Sequence, residues 1–177
     1  MRLGGVEVRV GGRAAPLFYA GPNQVNFQTP GRLPRNQLVR LLEAGEERGL
    51  GLLVPHNAPA LFPVAIHQNG SRNSPSNAVA RNGALTLYGT GVRPAISPPD
   101  GEAAPASGRP LLPTPAIPYA WVGHARAPVL YSGLAPGLVG VWQVNIIVPA
   151  DAPVFSTVPV RLLYDGIETN SIPVAVR

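Results

Sequence analysis

The residues able to do chemistry are few and far apart. His56, His67 and His124 are the only histidines in 177 residues, and none has a second His or a carboxylate at metal-ligand spacing. A hydrolase triad would have to pair one of them with an acid from a turn region, such as Asp100 or Asp165. No Gly-x-Ser-x-Gly elbow, phosphate loop, His-Glu-x-x-His or dinucleotide fingerprint is present. The absence of cysteine excludes a disulfide framework, a Cys-ligated zinc site and a thiol nucleophile. The residues therefore name no catalytic group, cofactor or metal ligand, and the expectation is a non-catalytic protein.

Aromatic side chains offer a second chemistry. Trp121, Trp142, Tyr88, Tyr119, Tyr131 and Tyr164 would stack against sugar rings if they shared an exposed sheet face; packed inward, the same residues would fill a core. Trp121 and Trp142 are accordingly candidate partner or glycan contacts. Leu134 and Leu138, in the apolar stretch Leu134-Ala135-Pro136-Gly137-Leu138-Val139, are candidates either to cover a sheet edge or to touch a partner. Asn69-Gly70-Ser71 matches a glycosylation acceptor and reads better as a turn.

All fourteen basic residues are Arg, and the net charge is +5. Arg2, Arg9, Arg13, Arg32, Arg35, Arg40 and Arg48 lie scattered among Glu7, Glu43, Glu46 and Glu47, with no run or stripe, so no nucleic-acid partner is expected. No segment approaches eighteen apolar residues and no export signal is evident, so the chain as given is expected to have no membrane span.

The elements that must position these residues are short strands. With 22 prolines and 20 glycines in a chain that is 45% hydrophobic and 13% charged, helices would be interrupted often, while one or two cores can still be buried. Val6, Val8 and Val10 alternate with Glu7 and Arg9, as in a strand with one wet face. Gly11-Gly12 turns the chain, and residues 15–19 return. Val25, Phe27 and Thr29 share one face of the next strand, which Pro30 ends. Residues 37–43 and 50–54 flank a polar tip, read as a hairpin in preference to a short helix.

This set of elements occurs twice. Gln24-Val25-Asn26-Phe27 is answered by Gln143-Val144-Asn145-Ile146, Ala15-Pro16-Leu17-Phe18-Tyr19 by Ala127-Pro128-Val129-Leu130-Tyr131, and Val39-Arg40-Leu41-Leu42 by Val160-Arg161-Leu162-Leu163. Three blocks in one order indicate an internal duplication whose loops have changed length. In the second copy, residues 120–122 and 127–131 are expected to form a hairpin, with Val144, Ile146 and Val148 inward on the following strand. Pro55-His56-Asn57-Ala58-Pro59 separates the copies. Residues 60–67 and 84–88 read as two further strands, and residues 92–118, rich in Pro, Gly and Ala, as a long mobile loop and the segment most open to proteases.

The order of these motifs, with Asn73-Ser74-Pro75-Ser76-Asn77, Leu85-Thr86-Leu87-Tyr88-Gly89-Thr90-Gly91 and Leu134-Ala135-Pro136-Gly137-Leu138 between them, resembles the Solibacter-type C-terminal domain of large exported bacterial proteins. That family is similar to immunoglobulin-like IPT/TIG modules. The resemblance covers nearly the whole chain and implies tandem β-sandwiches at the cell surface or outside the cell, with no catalytic residues.

The expectation is therefore an all-β protein of two tandem immunoglobulin-like sandwich modules, an incomplete one over residues 1–57 and a complete one over 58–177 with its Pro-rich loop at 92–118. Its expected role is an extracellular interaction or spacer module; the alternative is a carbohydrate-binding accessory module. The first copy has no counterpart of the two strands at 60–67 and 84–88. Either Met1 lies inside a longer reading frame, or a preceding domain or another chain completes that sheet.

Overall fold

The computed structural model describes residues 2–53 and 57–177, so His56 and part of the expected boundary lie outside the described residues. The described chain is all-β, with fifteen strands and no helix. It forms two compact units: the described part of residues 1–56 with residues 97–103, and residues 57–96 with 104–177.

In the first unit β1 (Val6–Val10), β2 (Arg13–Ala14), β5 (Gln37–Glu43) and β6 (Glu46–Leu53) form an antiparallel sheet in the order β2-β1-β5-β6, while β3 (Leu17–Gly21) and β4 (Gln24–Phe27) form a separate two-stranded sheet among the described residues. Val8, Val10 and Ala15 are buried, and Leu17, Val25, Phe27, Val39 and Leu41 pack around them half-buried. In the second unit β7 (Ala60–His67), β8 (Ala84–Thr90), β11 (Val129–Leu134) and β12 (Trp142–Ile147) form one sheet in the order β11-β12-β8-β7. The other is built from β9 (Tyr119–Val122), β10 (Ala125–Ala127), β13 (Val158–Tyr164), β14 (Ile167–Glu168) and β15 (Ile172–Val174), in the order β10-β9-β13-β14 with β15 also on β13. Leu85, Leu87, Val144 and Ile146 from the first of these sheets and Ala120, Val122, Val160 and Leu162 from the second share one core, which makes this unit a two-layer sandwich.

The duplication extends to hydrogen-bond register. Val10 lies opposite Val39 and Val8 opposite Leu41; their counterparts pair as Val122 with Val160 and Ala120 with Leu162. Leu17 opposes Phe27 and Tyr19 opposes Asn26 across a bulge, just as Val129 opposes Ile146 and Tyr131 opposes Asn145 across a bulge at the same place. Because a one-residue slip would invert every side chain, identical registers mean the same faces were kept inward in both copies.

Three expectations change. Residues 127–131 do not form a hairpin with residues 120–122: β9 turns through Gly123-His124 into β10, and after Pro128 the chain crosses to the opposite sheet as β11. Pro16 does the same between β2 and β3, since a residue without an N–H ends a ladder. Thr29 is not inward: β4 ends at Phe27 and Thr29 is exposed. Residues 92–118 form no strand, yet Ala104 and Leu112 are buried against Leu134, and backbone bonds Leu134 N–H to Leu112 O and Thr114 N–H to Ser132 O, both 2.9 Å, pin the segment to the outer edge of β11.

Candidate functional site

The outer face of the β10-β9-β13 sheet carries a concentration of outward-pointing aromatic and cationic side chains that the strands themselves set out. Alternation sends Ala120 and Val122 inward, so Tyr119 and Trp121 point outward; Arg126 and Arg161 lie directly across from Trp121 on the two flanking strands. The Arg126 guanidinium sits 4.4 Å from the Tyr119 ring centroid and that of Arg161 4.7 Å from the Trp121 ring. The two rings are 6.3 Å apart, and Arg161 Nη1 also donates to Glu168 Oε1 at 2.8 Å. Cation–π contacts hold these side chains as a preorganised row. Beside it opens a shallow groove of about 370 Å³ lined by Ile117, Pro118, Tyr119, Arg126, Ala127, Pro128 and Val129.

On the matching face of the first unit Glu7, Arg9, Arg40 and Glu47 stand where the second has Tyr119, Trp121, Arg161 and Glu168, with Ala14 in place of Arg126, and they form an ionic row instead. Glu7 accepts from Arg2 Nε at 3.1 Å and from Arg9 Nε, and Arg40 lies 3.6 Å from Glu47. The Arg2 hydrogen bond, opposed by burial and aided by Arg9, holds the Glu7 carboxyl below the usual carboxylate range. Its contribution to stability is therefore complete above the ordinary carboxylate pKa and lost as pH falls through the lowered value.

The four sequence-chosen contact residues part company here. Trp121 is half-buried on the outer row. Trp142 is not a surface contact: it is 1% exposed in the core, its Nε1–H donates to Ser132 Oγ at 2.9 Å, and its ring meets Tyr164 edge-on at 5.8 Å. Burial pushes the Tyr164 hydroxyl pKa up. Leu134 is likewise a core residue, 6% exposed, whereas Leu138 stands 45% exposed on the loop that follows. Sequence reasoning missed Arg126 and Arg161; their signal was parity, since each falls opposite an outward aromatic once the strands are registered.

The remaining polar motifs do structural work. His67 Nε2 is bonded to the Asn77 carbonyl at 2.9 Å, and His124 is exposed in the β9–β10 turn. Asn69 Oδ1 accepts from the Ser71 N–H and hydroxyl, which makes Asn69-Gly70-Ser71 a turn. Asn73 imitates a strand partner, accepting from Ala175 N–H at 2.7 Å and donating to Ala175 O at 2.9 Å; Asn170 does the same for Leu61. Among the described residues no three His, Cys, Asp or Glu side chains cluster as a metal site would require. No helix among them is long and apolar enough to cross a membrane.

No known protein family, curated protein or solved structure matches the chain.

Proposed function

We propose that this chain is a non-catalytic interaction and spacer module of a larger exported bacterial protein, acting at the cell surface or outside the cell. The observation that carries the reading is the aromatic–arginine row Arg126-Tyr119-Trp121-Arg161 beside an apolar groove. Tyr, Trp and Arg are the residue types that dominate protein-interaction hot spots, and a row locked before binding loses little side-chain entropy on docking. The duplicated units keep their inward faces but differ on this outer one, ionic in the first unit and aromatic in the second. An immunoglobulin-like module, two sheets around one core with function on an outer face, fits that division of labour.

Carbohydrate binding is the second reading, favoured by Tyr119, which is 51% exposed at the groove. It lacks Trp142, and the guanidinium groups occupy ring faces that a sugar would need. The test introduces a photo-crosslinking residue at Arg126 in the parent protein and, as a control, at exposed Ser156. One discrete protein adduct from position 126 alone is expected. Saturable binding on a glycan array, abolished by Trp121→Ala with the far-ultraviolet spectrum unchanged, would replace this reading with the carbohydrate one. Turnover of an esterase or glycosidase substrate that is lost on replacing His67 or His124 would refute the non-catalytic role.

A further inference from the structure

In the second unit, β12 is an interior strand: β11 bonds one edge and β8 the other, with Val144 opposite Leu87, Asn145 opposite Thr86 and Ile146 opposite Leu85. In the first unit, β4 is the counterpart of β12 and pairs with β3 in the same register, but among the described residues no strand bonds its second edge. The segment at 97–103 bonds residues outside this strand: Gly101 N–H to Gln28 Oε1 at 2.7 Å, Gly31 N–H to Asp100 Oδ1 at 2.9 Å, and Arg13 Nη2 to Asp100 Oδ2 at 2.8 Å. Val25 and Phe27 are half-buried, where Val144 and Ile146 are fully buried.

Open strand edges are normally blunted by charge, proline or a bulge. In the sheet that holds β12, the edge strand β7 carries Pro63 and a register break between Leu61 and Ala65, and residues 112–114 bond along the other edge strand, β11. In the first unit the β6 edge opens with Glu46-Glu47-Arg48. Gln24-Val25-Asn26-Phe27 has no charge and no proline, and its register break lies on the β3 side. An edge left uncharged, free of proline and half-apolar lacks the features that block pairing.

We propose that the free edge of β4 is a docking site for an extended, uncharged strand of another polypeptide, added antiparallel as β8 is added to β12. The occupant's chemistry follows from that internal template: aliphatic side chains opposite Val25 and Phe27, closing the core, and a small polar one opposite Asn26. This site is separate from the aromatic–arginine row, and either stands if the other falls.

The experiment titrates the full chain with a synthetic peptide of the β8 sequence, Ala84-Leu85-Thr86-Leu87-Tyr88-Gly89-Thr90, flanked by serines, and follows amide hydrogen exchange residue by residue. Saturable binding that slows exchange at Gln24–Phe27 by about tenfold or more is expected, because ladder bonds close those amides to water. A peptide with both leucines replaced by serine, and one N-methylated at alternate residues, should give no protection. Three results overturn the proposal: no protection at millimolar peptide, protection confined to β12 because the peptide displaces the chain's own β8, or protection of Gln24–Phe27 already present in a self-associated chain, which would make a second copy the occupant.

Discussion

Tyr131 donates its hydroxyl to the Leu134 carbonyl at 2.9 Å, and a Cβ on Gly133 would collide with that hydroxyl and with the Leu112 carbonyl. Tyr19 and Gly21 repeat the pair, except that the nearest atoms there all belong to the Tyr19 side chain, which is half-exposed and free to swing. Gly133→Ala should therefore cost about 2 kcal/mol or more, because backbone must move, and Gly21→Ala less than about 1 kcal/mol. Chemical denaturation of the two variants checks this; equal losses would mean that the tyrosine alone sets the constraint. The same local logic decides what was legible in the sequence. Trp142 shares the parity of Val144 and Ile146 and so belongs to the core, while Trp121 has the parity opposite to Ala120 and Val122 and so faces out. Leu134 and Leu138 stand where no period extends through both, and only the contact with Ala104 and Leu112 separates the buried one from the exposed one.

Strand existence and inward faces follow from period-2 patterning, but the partner of a strand does not. Residues 15–19 and 127–131 have a pattern that suits either a hairpin or a crossover, and only the interruption at Pro16 and Pro128 hints that each chain segment changes sheets. The Pro-rich segment 92–118 was unreadable for a related reason. It is held by single residues, Ala104, Leu112 and Thr114, with Thr114 Oγ1 2.6 Å from Ser132 Oγ, and isolated anchors leave no period. Turn chemistry is clearer. The β5–β6 hairpin closes through Ala44 at φ 52° and Gly45 at φ 91°, and the β13–β14 hairpin through Asp165 at φ 52° and Gly166 at φ 77°. Two left-handed residues make a tight hairpin turn, where Asn or Asp is tolerated and a plain Cβ strains the backbone by about 1–2 kcal/mol. Ala44→Asn should thus stabilise the first unit by about 0.5–1 kcal/mol. A lower denaturation midpoint for this variant would show that Ala44 has a packing role that outweighs its backbone strain.

The two units are copies in register but unequal in closure, and stability should follow closure. The second unit covers its core with two sheets of four and five strands, leaving Leu87, Val144, Ile146 and Val160 at 1% exposure or less. The first opposes a four-stranded sheet with a single hairpin, and among the described residues its core cluster has just Val8, Val10 and Ala15 buried. Hydrophobic stabilisation scales with apolar area removed from water, so a core left half-wet contributes less per residue. Truncating Val144 or Ile146 to Ala should cost about 2–4 kcal/mol, and Val25→Ala clearly less. Both tryptophans, Trp121 and Trp142, belong to the second unit, which gives a direct way to separate the two. In a urea titration the far-ultraviolet signal should begin to fall before tryptophan emission shifts, with the early phase showing the smaller denaturant slope expected of less newly exposed surface. Saturating β8 peptide should move the early phase toward the later one while leaving the emission midpoint in place, since a ligand stabilises only the unit that binds it. Coincident transitions in the absence of peptide would mean that the first unit, open edge and all, draws its stability from a source other than its own core.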